Sequence, residues 1–120
     1  MGIRTYKITV TTTGSAGAAT GTGQTSRPVN GCLKAIHLDY TDLPNTSDVT
    51  ITTAGAPVQT LLTKANANTD AWFYPRALLD DTAGADLTAI YDEMPIDDYV
   101  NVSVAQADAG SLVVTLLVEE

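Results

Sequence analysis

Tyr99–Glu120, YVNVSVAQADAGSLVVTLLVEE, decides the fold. In its first half Val100, Val102 and Val104 alternate with Asn101, Ser103 and Ala105; in its second, Leu112, Val114, Leu116 and Val118 alternate with Val113, Thr115 and Leu117. A period of two sends successive side chains to opposite faces of a sheet, so each run is a strand with one face for a core. Ala107-Asp108-Ala109-Gly110 supplies a turn, and the pair is expected to fold back on itself as a hairpin. A chain ending in a committed strand points to a closed all-β unit.

The same pattern recurs upstream. Tyr6, Ile8 and Val10 alternate with Lys7, Thr9 and Thr11, a strand over Thr5–Thr12 with one wet face. In Gly31–Thr41 the spacing places Cys32, Ile36, Leu38 and Tyr40 inward, with Lys34 interrupting, and Leu33, Ala35, His37 and Asp39 outward. Asp48–Ala54 carries Val49, Ile51 and Thr53 on one face; Gly55-Ala56-Pro57 breaks it and Val58–Thr63 resumes. Asp42–Ser47 and Lys64–Thr69 carry turn residues. Ala71–Arg76 holds Trp72-Phe73-Tyr74, Ala77–Ala85 suits a helical turn or a loop equally, and Leu87–Ile96 suggests a short strand ended by Pro95. Thr13–Asn30, rich in Gly, Ala, Ser and Thr, offers little to bury and is expected to be a loop or extended arm, with room for a short strand at its middle. The expectation is a single all-β domain over residues 1–120: a β-sandwich, jelly-roll-like, of seven or eight short antiparallel strands.

Composition narrows the function. At 120 residues the chain buries roughly two-thirds of its unfolded surface, enough for one core without a cofactor or metal. Fourteen acidic residues against six basic give a net charge of −8, and the cations are scattered singly. That repels phosphate backbones and argues against direct nucleic-acid binding. No apolar window is long enough for a membrane span, and no secretory signal is visible at the N-terminus, so folding in a cytoplasm is expected. Cys32 stands alone, precluding an intrachain disulfide and suggesting a small buried apolar residue.

The chemical candidates are few. Gly21-Thr22-Gly23 resembles half of a dinucleotide fingerprint, but Arg27-Pro28 follows where a helix N-terminus is needed, and a flexible linker is the better reading. His37, the single histidine, sits near Asp39 without a serine in a nucleophile elbow, so a small hydrolase is disfavoured and no catalytic residue is assigned. One His and one Cys cannot build a zinc site. Asp80, Asp81 and Asp86 leave room for a weak calcium site, although solvated loop charge explains them as well. Trp72 and Tyr74 share one strand face and Phe73 takes the other. With Arg76 alongside, one face is expected in the core and the other in an interface.

Several segments in order carry a resemblance: Lys34–Thr41, Asp48–Ile51, Asn68–Arg76, Val100–Asp108 and Val113–Glu119. Over Gly31–Glu120 the chain resembles small structural proteins of tailed bacteriophages, in particular head decoration (cement) proteins. The resemblance implies a jelly-roll-like domain made in the host cytoplasm and carried on the outer capsid surface of the virion. There it would associate as a dimer or trimer, bind the major capsid protein, bridge its subunits and catalyse nothing. The resemblance assigns no binding residue; from the residues themselves, the interface is expected at the N-terminal strand with Tyr6, the Thr13–Asn30 arm with Arg27, and the aromatic segment with Trp72, Tyr74 and Arg76. The alternative from another class is a carbohydrate-binding β-sandwich of a phage tail or host-recognition appendage, with Trp72 and Tyr74 stacking on sugars.

Overall fold

The structure is a computed structural model describing residues 2–120. It contains eleven β-strands: β1 (Ile3–Thr12), β2 (Ala19–Gln24), β3 (Val29–Asp42), β4 (Ser47–Thr53), β5 (Thr60–Ala67), β6 (Ala71–Phe73), β7 (Ala77–Asp80), β8 (Asp86–Asp92), β9 (Pro95–Asp98), β10 (Val100–Ala107) and β11 (Gly110–Glu119). All pairings are antiparallel. One sheet runs β1-β11-β3-β6, the other β2-β10-β4-β5. β9 also pairs with β3, so the first sheet has five strands and the second four, and the two paths woven in this order make a jelly-roll β-sandwich. Seven of the eight strands on these two paths fall on segments expected to be strands; the eighth, β2, lies within Thr13–Asn30, and the expected strand Leu87–Ile96 falls outside them, on β8 and β9. The remaining three, β7, β8 and β9, are inserted between β6 and β10.

The closing segment departs from the expected hairpin. β10 pairs with β2 and β4, whereas β11 pairs with β1 and β3 in the opposite sheet. Each strand has one apolar face, and both faces look into the same core from opposite sides, so the two strands stack across the sandwich. The corner between them is fixed by Thr12, whose hydroxyl donates to the Asp108 carbonyl at 2.7 Å and accepts from the Gly110 amide at 2.9 Å.

Rows of inward side chains cross the first sheet in register, as in Tyr6, Leu116, Ile36 and Phe73. Opposite them stand Val49, Ile51, Val100, Val102 and Val104, all buried. Along β3 three of the four expected inward residues, Ile36, Leu38 and Tyr40, are buried in the core and Cys32 is half-buried. Leu33, expected outward, joins that core, whereas Ala35, though buried, stands opposite Leu117 on the outer face. The β11 register shifts between Leu117, opposite Ala35, and Val118, opposite Leu33. This bulge at Lys34 reverses the phase of the alternation, which a strict period of two cannot follow.

Thr13–Asn30 is not an extended arm: it carries the strand allowed for at its middle and lies against the sandwich. Ala19–Gln24 forms β2, an edge strand paired with β10, and Ala19 and Val29 are fully buried. Gly21 and Gly23 are its inward positions, at the corner where β2 lies directly against β1. A Cβ on Gly21 would sit 2.3 Å from the Thr11 carbonyl oxygen, and one on Gly23 would sit 2.8 Å from Ile8 Cγ2. The glycines therefore seal this corner rather than loosen it. Two other boundaries differ as well: β5 continues through Lys64–Ala67, where a turn was expected, and Pro95 opens β9 rather than ending a strand. Proline fits there because β9 pairs on one side only, with Val29–Cys32.

Candidate interaction surface

β6 and β9 both pair on the outer edge of β3, at Ile36–Leu38 and Val29–Cys32 respectively. The gap between them falls at the Lys34 bulge, and the chain leaves the sandwich there as the β7–β8 hairpin. The two hairpin strands pair with each other and with no other strand. The molecule is correspondingly long, 48 × 30 × 26 Å, with a radius of gyration of 15.0 Å, against the roughly 13–14 Å of a compact chain this size.

The root of the hairpin is held by charge. Lys34 Nζ lies 2.7 Å from a Glu93 carboxylate oxygen and 3.4 Å from Glu119. The Glu93 hydrogen bond, more than any other cause, raises the Lys34 pKa. Arg76 faces Glu93 at 3.7 Å and donates to the Lys34 carbonyl at 3.2 Å. Arg76 therefore clamps the root of the hairpin, a role its position in sequence does not reveal.

The tip is built by Asp81. Its side chain accepts from the Ala83 and Ala85 amides at 2.9 and 3.0 Å, while its backbone closes on Ala85 and Gly84. Asp80 stands opposite Asp86 across the ladder, and the Asp86 hydrogen bond is the main cause raising the Asp80 pKa. Asp81 is spent on its own turn, so the calcium reading of Asp80, Asp81 and Asp86 has no converging ligand set. Among the described residues no three His, Cys, Asp or Glu side chains are placed to hold a metal ion.

Exposed apolar surface is concentrated here. Of the nine large apolar side chains exposed among the described residues, six lie between positions 72 and 91: Trp72, Tyr74, Leu78, Leu79, Ile90 and Tyr91. Scattered single exposures are ordinary on a soluble protein, whereas a cluster along one projection marks a contact surface.

The other residues singled out in sequence separate clearly. Trp72 and Tyr74 are 46% and 64% exposed, on the face expected, while Phe73 packs against the core. Tyr6 is only 7% exposed and belongs to the core, because β1 turns it inward beside Ile8. Arg27 is on the surface with its guanidinium 5.6 Å above the Tyr6 ring. His37 lies on the outer sheet face, 4.8 Å from the Trp72 ring centre and tilted by 57°. Asp39 instead accepts from the Thr41 hydroxyl at 2.6 Å and the Thr41 amide at 2.9 Å, which holds its pKa down. No hydrogen bond joins His37 to Asp39. Leu78, Leu79, Ile90 and Tyr91 were missed in sequence, although the run Ala77-Leu78-Leu79 before an acidic turn was a signal for a hairpin arm.

A second concavity, an open cleft of about 590 Å³, lies at the loop end and is lined by Asn45, Asn66, Asn68, Gln106 and Asp108. Asp108 ties the loops together there, accepting from the Gly17 amide at 2.9 Å and from the Asn45 side chain.

No family model matches the chain, and no curated protein matches it. Among solved structures it is similar to a lysine-to-alanine mutant of CBM29-2, a family 29 carbohydrate-binding module, at 12% sequence identity and a TM-score of 0.47, covering 98% of this chain and 81% of that one.

Proposed function

We propose that this protein is a decoration protein of a tailed-phage head, a structural module that adheres to the outer capsid surface and bridges major capsid subunits. One observation carries the reading: the clustering of exposed apolar side chains on Trp72–Tyr91, in a sandwich whose β1–β2 corner is sealed. Adhesion without turnover needs a stiff body and a projecting contact surface, and this chain has both. A lattice of capsid subunits would multiply a modest single-site affinity through many simultaneous contacts. Self-association as a dimer or trimer belongs to the same proposal, as does synthesis in the host cytoplasm. The fold alone does not choose the function, since jelly rolls serve capsids and lectins alike.

The test is co-sedimentation of the purified protein with expanded, undecorated heads of the phage that encodes it. Saturable binding at a fixed ratio to capsid subunits is expected, and protein remaining in the supernatant at micromolar concentration overturns the proposal. The exposed shared face of Trp72 and Tyr74 favours the second reading, a carbohydrate-binding module. Glycan binding abolished by Trp72→Ala, in a protein that ignores heads, would establish that reading instead.

A further inference from the structure

Six cations are present in the chain, and five of them are engaged within it. Arg4 pairs with Glu120 at 3.0 Å, and Lys34 and Arg76 share Glu93. Arg27 lies over the Tyr6 ring and Lys64 over the Phe73 ring, while Lys7 is exposed on the outer face of β1. The β7–β8 hairpin is the opposite case. Between Ala77 and Asp92 it carries Asp80, Asp81, Asp86 and Asp92 and no lysine or arginine. Leu78 and Tyr91 face each other across its ladder, with Leu79 and Ile90 exposed beside them.

An isolated two-stranded hairpin is marginal in water, and one with exposed leucine, isoleucine and tyrosine is completed by what it docks against. A second copy of this chain is a poor receptor: it brings the same net charge of −8, and five of its six cations already have internal partners. Burying four carboxylates against such a surface leaves them uncompensated.

We infer that the β7–β8 hairpin is the docking arm of the protein and that its receptor is a different polypeptide, presenting an apolar groove flanked by lysine or arginine. The inference deepens the decoration-protein proposal, and rests on it, by naming the surface used and the chemistry of the capsid site. Contacts between copies then fall to the sandwich body. Leu78 and Tyr91 supply the buried anchors, and the acidic tip sets orientation and encounter rate.

The experiment measures binding of the full chain to undecorated heads, by sedimentation and by the fluorescence of Trp72, the single tryptophan, at the arm's root. The Leu78→Ala/Tyr91→Ala variant is expected to bind about 100-fold more weakly, the size of a lost central anchor pair. Asp86→Lys leaves the arm formed by giving Asp80 an opposite charge across the ladder. It is expected to weaken binding several-fold at low ionic strength and by much less at high salt, where charge is screened. Circular dichroism and melting temperature verify that both variants fold. Wild type that fails to bind heads sinks the decoration reading itself. Wild type that binds with unchanged affinity in the double variant overturns the arm alone. Unaltered head binding together with a wild-type oligomer that falls apart in the double variant makes a second copy the occupant, and also overturns the inference.

Discussion

Replacing Gly21 by alanine tests whether β2 is lodged in the sandwich. The added methyl would sit 2.3 Å from the Thr11 carbonyl oxygen, 3.0 Å from the Thr11 carbonyl carbon and 3.1 Å from Val10 Cγ1. Close carbon–oxygen contacts in proteins settle at about 3.3 Å, so β1 and β2 must part by about 1 Å. Two of the three obstacles are main chain and cannot rotate aside. Overpacking typically costs about 1–3 kcal/mol, and an obstruction by backbone belongs at the upper end, about 3 kcal/mol. Spread over the unfolding entropy of a domain of this length, that lowers the melting temperature by about 12 °C. Gly84→Ala is the matched control. Gly84 has φ +82° and nothing within 4 Å of its would-be Cβ, so its cost is the left-handed strain of about 1 kcal/mol, confined to the arm tip. Denaturant titration and thermal melts followed by circular dichroism read both variants. A Gly21→Ala protein melting within about 3 °C of wild type would show that Ala19–Gln24 is not wedged against β1, and the reasoning would fail.

Three further outcomes are expected. Tyr40 is 4% exposed and its hydroxyl has no hydrogen-bond partner; Tyr40→Phe removes a buried unsatisfied group and should raise stability by about 1 kcal/mol in urea titration, and a loss of stability would show that the hydroxyl is satisfied. Leu116, fully buried at the centre of β11, should cost about 2–5 kcal/mol as Leu116→Ala, while the exposed arm residue in Leu79→Ala should change the body by less than about 0.5 kcal/mol; equal effects would mean that the arm packs on the core. The raised Asp80 pKa means that the folded arm holds a proton more tightly than the unfolded chain. Its contribution is therefore complete below the ordinary carboxylate value of 3.8 and is lost as pH rises through the higher folded value. Hydrogen exchange corrected for intrinsic rates should show Leu78–Tyr91 amides better protected at pH 3 than at pH 7 relative to the sheets, and Asp86→Asn should erase the difference; a pH-independent ratio refutes the coupling.

Much of the sandwich was legible because burial on one face leaves a period of two, which β1, β4, β10 and β11 carry plainly. What that period does not carry is which strand lies beside which. β10 and β11 have the pattern of a hairpin, yet they occupy different sheets, because alternation records a buried face and not the neighbour along the hydrogen bonds. It is also blind to a bulge, so Leu33 was assigned to the wrong side of β3 once Lys34 broke the phase, whereas Ala35, opposite Leu117, lies on the outer side as expected. β2 was hidden by composition. Ala19, Gly21 and Gly23 alternate with Thr20, Thr22 and Gln24, a strand pattern in which the inward residues are small instead of large. Small residues were needed at the corner where two backbones meet. Of the exposed aromatic side chains, Trp72 and Tyr74 were singled out from sequence, and both lie on the surface. The arm was not, because its strands bury neither face in this chain and so show no amphipathic signature.

The position of the insertion explains how one chain carries both a stable body and an exposed apolar surface. The outer edge of β3 is covered by β6 above the Lys34 bulge and by β9 below it, so the break in pairing needed to let a hairpin out coincides with a break the strand already has. The ion pairs at that point tie Lys34, Arg76, Glu93 and Glu119 together across the root, which fixes the arm's direction while Ala77 at its base packs against the core. The arm's side chains are then free to be chosen for a partner, because substituting them leaves the sandwich packing untouched. The same separation limits exposure of the apolar cluster to self-association: its carboxylates repel a second acidic copy, while the β1–β2 corner closes one pair of edges by which sheets otherwise add strands.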